Sequence, residues 1–185
     1  MRTFIALDLN PEVKARLSDL IALLKRSQPK IKWVNTQGMH ITLKFLGEIP
    51  ESRVQEIRES IHKACAGHPS FTLSFKGTGT FPPSSLYPRV IWAGIEESKP
   101  LAALQRDIED ALEKLHFPKE KRDFNPHLTL GRVKASGTLS AMLKDLEKHH
   151  DADFGRLCVQ NVLLIQSILK PTGAVYKPLF EFLLQ

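Results

Sequence analysis

Cysteine is scarce in this 185-residue chain: only Cys65 and Cys158 are present, without a CxxC pair or a Cys/His cluster around them. The sequence therefore indicates neither a disulfide framework nor a zinc site, and we expect two reduced, mostly buried thiols. An apolar run of membrane-spanning length is also missing. The segment that starts at Met1 has one basic residue and a short apolar stretch, which predicts no secretory signal, a cytoplasmic protein and no membrane partner.

Long blocks of lysine and arginine are absent too, although 26 basic residues outnumber 20 acidic ones and the net charge is +6. A mild excess of this kind favours partners that carry phosphate groups, but lysines on solvated helix faces produce the same balance in many proteins. With 42% hydrophobic and 25% charged residues, the composition is that of a globular protein. A chain of this length forms one domain or two small fused lobes.

Hydrophobic periodicity divides the chain into strands and helices. Helical spacing predicts helices at 11–26, 51–66, 100–115 and 139–149. Strand patterns occur at 2–9, 31–34, 40–47, 71–81, 89–95, 127–133, 158–169 and 175–183. A turn at Pro171-Thr172-Gly173 is predicted between the last two strands. The proline-rich stretch 81–88 is predicted to be a loop that crosses from one lobe to the other.

The two halves of the chain resemble each other. Displacing the sequence by 87 positions aligns His40 with His127 and also Ala6 with Ala93. Each half has a strand, a helix, a His-x-Thr strand, a second helix and a further strand, an order that differs from a doubly wound parallel sheet. The pattern is that of a diverged internal duplication.

This organisation predicts an α+β fold in a single bilobal domain over 1–185, with approximate half-repeats 1–87 and 88–185. Each of the two similar lobes is expected to be a largely antiparallel sheet with helices on one side, and a central cleft is expected between them. Because each lobe finds its partner within the chain, a monomer suffices to build that cleft, and no obligate protein partner is indicated.

The candidate chemistry lies in two matching segments, His40-Ile-Thr-Leu and His127-Leu-Thr-Leu. Side chains alternate across a strand, so each histidine shares a face with the threonine two residues later. Across a shared cleft, one imidazole can take a proton from a nucleophile while the other protonates a leaving oxygen. The hydroxyls of Thr42 and Thr129 can donate hydrogen bonds to phosphoryl oxygens. This chemistry suits phosphodiesters and requires neither metal nor cofactor.

A duplicated fold could retain the motif for packing alone, but packing does not explain polar side chains on the face turned away from the core. The remaining histidines are expected to be solvated or capping residues at helices. His149-His150 lacks the further ligands that a metal site needs. This group consists of His62, His68, His116, His149 and His150.

Phe45 and Arg132 each lie five positions after a motif histidine. An aromatic ring could stack on a terminal base, and a guanidinium could pair with a phosphate. Strict alternation, however, places both side chains on the core face of their strands. Contact with a substrate therefore requires a bulge or twist that redirects them.

The paired motifs, in a small duplicated chain that begins Arg2-Thr-Phe-Ile-Ala, resemble the 2H phosphoesterase superfamily. The most similar branch is the RNA 2′,3′-cyclic phosphodiesterase group, also called 2′-5′ RNA ligase-like. The likeness spans almost the whole chain, and its carriers include His40-Ile-Thr-Leu-Lys-Phe-Leu-Gly-Glu, Pro126-His-Leu-Thr-Leu-Gly-Arg and Ser167-Ile-Leu-Lys-Pro-Thr-Gly-Ala-Val-Tyr. It implies two lobes about a cleft and a reaction that opens terminal 2′,3′-cyclic phosphates to 2′-phosphomonoesters.

The resemblance makes His40 the proton donor and His127 the proton acceptor, with Thr42 and Thr129 in contact with the phosphate. Nothing in the sequence itself orders the two histidines. Expected partners are RNA or oligonucleotide ends that bear a 2′,3′-cyclic phosphate. Two alternatives stay open: a module that binds RNA or nucleotide phosphate without turnover, and an enzyme whose main reaction is 2′-5′ RNA ligation.

Overall fold

The computed structural model describes residues 1–27, 30–83, 86–121, 123–134, 139–171 and 173–185. Its strands are β1 (Arg2–Asp8), β2 (Ile31–Trp33), β3 (His40–Glu48), β4 (Phe71–Phe81), β5 (Val90–Ile95), β6 (His127–Val133), β7 (Asp153–Val159), β8 (Asn161–Lys170) and β9 (Gly173–Leu183). Its α-helices are α1 (Pro11–Leu24), α2 (Val54–Cys65), α3 (Lys99–Glu113) and α4 (Ser140–Glu147). Single 3₁₀ turns lie at Lys25–Ser27, Thr36–Gly38 and Glu51–Arg53.

These strands form two antiparallel sheets, one in each lobe. The first sheet has the order β3-β1-β8-β9, and the second has the order β2-β6-β5-β4-β7. Helices α2 and α3 pack on the first sheet, at β9 and β3. Helices α1 and α4 pack on the second, at β7 and β4. The predicted α+β class with antiparallel sheets is thus confirmed.

The lobes are not consecutive halves of the chain. In the first half, β4, the strand after α2, joins the second sheet, where it pairs with β5. In the second half, β8, the second strand after α4, joins the first sheet, where it pairs with β1. The first helices cross over as well, because α1 follows a strand of the first sheet yet packs on the second. Apart from β2, the two sheets match strand for strand, and their exchange of strands ties the lobes together.

Helix starts and apolar packing fix these elements. The Asn10 side chain accepts a hydrogen bond from Val13 N at 3.0 Å, and the Ser98 hydroxyl accepts one from Leu101 N at 3.3 Å, so both long helices begin at capped positions. One continuous core joins the inner faces of both sheets to all four helices. None of the helices in the described ranges is long and apolar enough to cross a membrane.

Several local predictions are wrong. The stretch 81–88 does not cross between lobes: β4 and β5 are neighbours in one sheet, and Arg89 N donates to Phe81 O at 2.7 Å, so the stretch connects a hairpin. The strand predicted at 158–169 is two strands that meet at Gln160. Cys158 is exposed, whereas Cys65 is buried as expected.

Two predicted segments fall partly outside the described residues. They include Ser84 and Ser85 of the hairpin connection and Thr172 of the final turn.

Candidate active site

The two motif strands lie in contact with each other, although they belong to different sheets. Strand β3 forms an edge of the first sheet and lies in contact with β6 of the second. The link between them is β2, where Trp33 pairs with Gly131 and Val34 N donates to Leu130 O at 2.9 Å. The chain then passes through the 3₁₀ turn at Thr36–Gly38 into β3. His40 and His127 therefore come from contacting strands of different lobes.

Both histidines are held in the same way. His40 Nδ1 lies 2.8 Å from the carbonyl oxygen of Gly38, and His127 Nδ1 lies 2.8 Å from that of Asn125, in each case two residues earlier. A carbonyl oxygen only accepts, so Nδ1 of each ring carries the hydrogen that it donates. This bond fixes the tautomer and leaves Nε2 of each ring available for proton transfer.

Bulges at matching positions decide the orientation of Phe45 and Arg132. Leu43 has no partner in the β1–β3 ladder, and Leu130 has none in the β5–β6 ladder. Each bulge shifts the alternation by one residue, so the side chain five positions after the histidine returns to the histidine's face. Phe45 is accordingly 68% exposed, and Arg132 is exposed as well. The core placement that strict alternation predicts is therefore wrong for both residues.

The motif threonines occupy equivalent half-buried positions. Thr42 pairs with Ala6 across the ladder and Thr129 with Trp92, on the same faces as their histidines. Neither hydroxyl is hydrogen-bonded to another described residue. Because Ala6 lies opposite Thr42 and Trp92 lies opposite Thr129, Trp92 is the structural counterpart of Ala6. The displacement by 87 positions that relates β3 to β6 aligns Ala6 with Ala93 instead, so the displacement that relates β1 to β5 is one position shorter.

Aromatic rings flank each imidazole. The His40 ring lies 4.6 Å from the Phe4 centroid and 4.8 Å from that of Tyr176, which meets it edge-on at 85°. The His127 ring lies 5.1 Å from the centroid of Phe81 at 79°. These contacts limit the rotation of both rings and leave each with an apolar wall.

The surroundings of His40 disfavour its charged form. Burial lowers its pKa from the ordinary value, while the Gly38 carbonyl and the nearby Asp8 carboxylate partly oppose that effect. In the free protein at neutral pH, the neutral ring is therefore favoured. A bound phosphate anion would act in the same direction as Asp8 and favour the charged form of the ring.

Three of the other five histidines have hydrogen-bond partners. His68 Nε2 lies 2.9 Å from an Asp107 carboxylate oxygen, while His149 and His150 bond to carbonyl oxygens of α4. Within the described ranges, no three His, Cys, Asp or Glu side chains are grouped to hold a metal ion. Two cavities, of about 190 and 440 Å³, lie against Asp8, and neither is lined by a motif histidine.

Several residues near the histidines were not singled out from the sequence. Phe4 and Tyr176 lie within segments that carry the family likeness, but no pattern linked them to His40. Trp92 stacks on Phe81 at 5.5 Å, and its buried Nε1–H has no hydrogen-bond partner among the described residues. The position of Trp92 beside Thr129 follows from the pairing of β5 with β6, which the sequence pattern alone does not reveal.

Comparisons with known proteins identify the family to which the chain belongs. The model of the 2′-5′ RNA ligase superfamily matches residues 10–164. The chain is 38% identical to an RNA 2′,3′-cyclic phosphodiesterase of Thermotoga maritima, over 98% of this chain and 94% of that protein.

Among solved structures, TT0787 of Thermus thermophilus superposes with a TM-score of 0.84 at 31% identity, covering 100% of this chain and 98% of that one. E. coli LigT complexed with 3′-AMP shares the fold, with a TM-score of 0.76 at 22% identity over 99% of this chain and 97% of that one. The resemblance read from the paired His-x-Thr strands is thereby confirmed: the chain belongs to the 2′-5′ RNA ligase superfamily.

Proposed function

We propose that this protein is an RNA 2′,3′-cyclic phosphodiesterase that hydrolyses terminal 2′,3′-cyclic phosphates to 2′-phosphomonoesters by metal-independent, two-histidine acid/base catalysis. The observation that carries the proposal is the matched pair of imidazoles, each with Nδ1 bonded to a carbonyl oxygen and Nε2 available. Relatives named RNA 2′,3′-cyclic phosphodiesterase at 38% and 36% identity over 98% of the chain support the same reaction.

In the proposed mechanism, a water molecule attacks phosphorus while His127 Nε2 takes a proton from it. The bond from phosphorus to the 3′ oxygen breaks, and His40 Nε2 donates a proton to that oxygen. The products are a 2′-phosphomonoester and a free 3′-hydroxyl, and the next turnover requires one proton to move from His127 back to His40. Thr42 and Thr129 donate hydrogen bonds to the non-bridging oxygens, where negative charge increases in the transition state.

The order of acid and base rests on the family resemblance. The lowered pKa of His40 works against a proton donor in the free protein. The proposal therefore requires the bound phosphate to raise that pKa, so that the donor is charged only when substrate is present. Proton donation by His40 is thus coupled to binding.

Phe45 and Arg132 are proposed to contact the substrate outside the reacting group. The exposed Phe45 ring lies on the His40 face and can stack on the terminal base. The Arg132 guanidinium lies on the His127 face and can pair with a phosphate.

One experiment separates hydrolysis from its two alternatives. RNA with a 2′,3′-cyclic phosphate end is incubated with the protein, with and without a second RNA that carries a 5′-hydroxyl. Hydrolysis yields a 2′-phosphate in both reactions. Joined RNA as the main product would make ligation the principal activity, and binding without either product would identify a binding module.

A further inference from the structure

Strand β2 has no counterpart in the other lobe. The first sheet ends at β3, whereas in the second sheet β2 adds a further strand outside β6. Ile31 and Trp33 pack on the core, so Lys32 between them points to the opposite face, which is the face of His127 and Thr129. The element that breaks the internal symmetry therefore brings a cation to the site's side of the sheet.

The β2–β6 ribbon presents two pairs of cations. Lys32 lies directly opposite Arg132 in the ladder. One step further along, Lys134 N donates to Lys30 O at 3.0 Å, which keeps these two lysines opposite each other. All four side chains are exposed, and alternation puts both pairs on one face. We call these four residues the ribbon cations.

Like charges directly opposite each other in a ladder are unfavourable. The ion pairs formed within the described ranges all use other cations, so none of them neutralises the ribbon cations. In the other lobe, the positions that correspond to Arg132 and Lys134 are Phe45 and Gly47, so the repeat does not reproduce these two cations. Two adjacent unneutralised pairs are the arrangement expected of a surface that receives anions.

We infer that the ribbon cations bind the backbone phosphates of the RNA strand upstream of its cyclic-phosphate end. This inference rests on the proposed function, which places the reacting phosphate between Thr42 and Thr129. From Thr129 the strand leads to Arg132 and then to Lys134. The last two positions lie roughly 7 Å apart, comparable with one nucleotide step of an extended strand. Successive upstream phosphates would meet the Lys32/Arg132 pair first and the Lys30/Lys134 pair second.

The test compares two substrates that differ only in upstream phosphates. One is a nucleoside 2′,3′-cyclic monophosphate, and the other is a short RNA with the same terminal nucleotide and the same cyclic end. The variant is Lys30→Gln/Lys134→Gln. The matched control, Lys63→Gln/Lys114→Gln, removes two exposed lysines on the other lobe, one in α2 and one immediately after α3.

The readout is the ratio of kcat/KM for the short RNA to kcat/KM for the mononucleotide. In the Lys30/Lys134 variant this ratio should fall roughly 3- to 30-fold, since two exposed ion pairs are lost. The slope of log kcat/KM against log salt for the RNA should become shallower by about 0.7, because the Lys30/Lys134 pair meets one phosphate and each phosphate neutralised on a single strand contributes about 0.7. A ratio and slope that stay at wild-type values, or that change equally in the control, would overturn the inference.

Direct binding keeps the test independent of turnover. Fluorescence anisotropy with a 5′-labelled short RNA ending in a 2′-phosphate should show weaker binding by the Lys30/Lys134 variant and unchanged binding by the control. If wild type turned over neither substrate, the proposed function would fail, while this measurement would still decide whether the ribbon cations bind RNA. Equal affinity of wild type and variant, or competition by polyglutamate as potent as that by RNA, contradicts the inference.

Discussion

Replacing Lys44 with methionine should destabilise the protein severely, because Lys44 belongs to a buried ion pair. Its Nζ lies 2.5 Å from Glu109 Oε2 and donates to Pro118 O at 2.9 Å, with the two charged side chains only 4% and 9% exposed. Glu109 also accepts weaker bonds from Gln105 Nε2 at 3.3 Å and from Glu120 N at 3.4 Å. Lys44→Met removes the one positive charge of the pair and leaves the carboxylate buried.

An uncompensated buried charge costs about 3 to 5 kcal/mol. For a chain of this size, such a loss lowers Tm by about 6 to 20 °C. Lys44→Met/Glu109→Leu should recover most of the loss, since an apolar pair of similar volume is often neutral relative to the ion pair. The assay is urea unfolding of wild type, both single variants and the double variant, which yields the coupling free energy directly.

The matched control is Lys148→Met, which removes a lysine whose 2.8 Å bond to Asp145 lies at the surface. It should lose far less stability than Lys44→Met, because solvent screens that pair. Unfolding of Lys44→Met at the same urea concentration as the control would show that burial of the pair is not the source of the effect. The same conclusion would follow if the double variant lost as much free energy of unfolding as the two single variants together.

Four further predictions concern the reaction. His40→Ala and His127→Ala should each lower kcat by roughly 10² to 10⁴-fold, the usual contribution of a general acid or base. The double variant should be little worse than either single variant, because the two groups act as a unit. Near-normal turnover by either folded single variant would contradict the paired mechanism. Turnover should survive EDTA, and loss that a divalent ion reverses would exclude metal independence. The product, separated by chromatography against standards, should be the 2′-phosphate; mainly 3′-phosphate would mean that the other ester bond breaks. Burial lowers the pKa of His40, so kcat/KM, which reports the free enzyme, should fall as pH rises through a value below the ordinary histidine pKa. The corresponding limb of kcat should lie at higher pH, because phosphate is then bound. Coincident limbs would contradict the coupling between substrate binding and protonation of His40.

Much of this site could be predicted from local sequence. The His-x-Thr repeats located both histidines and both threonines on strands, because alternation over a few residues depends only on the chain itself. The strand at 127–133 and the strand at 71–81 have the predicted bounds. Predictions of this kind use information that one segment contains.

The errors arose where distant segments decide the structure. The bulges at Leu43 and Leu130 reflect pairing with β1 and β5, and alternation within β3 or β6 contains no sign of them. Lys44 and Phe45 show the effect of the first bulge: the Lys44 side chain turns inward to Glu109, while the Phe45 side chain turns outward. Likewise, a proline-rich stretch predicts a loop but does not reveal that the strands on either side of it pair with each other.

The exchange of strands between the halves has a consequence for how the chain folds during synthesis. β1 needs β8 as a neighbour, and the two are separated by more than 150 positions, so the first sheet forms only after residues 161–170 have been made. Until then, while the chain is still attached to the ribosome, the edge of β1 that will pair with β8 stays open. An open edge of this kind can pair with other chains. Contacts of such long sequence separation also slow folding, because the loop must close before they stabilise anything. A fragment that ends near residue 87 should therefore aggregate instead of forming half of the protein, and the sheet that holds His40 should be among the last parts of the molecule to form.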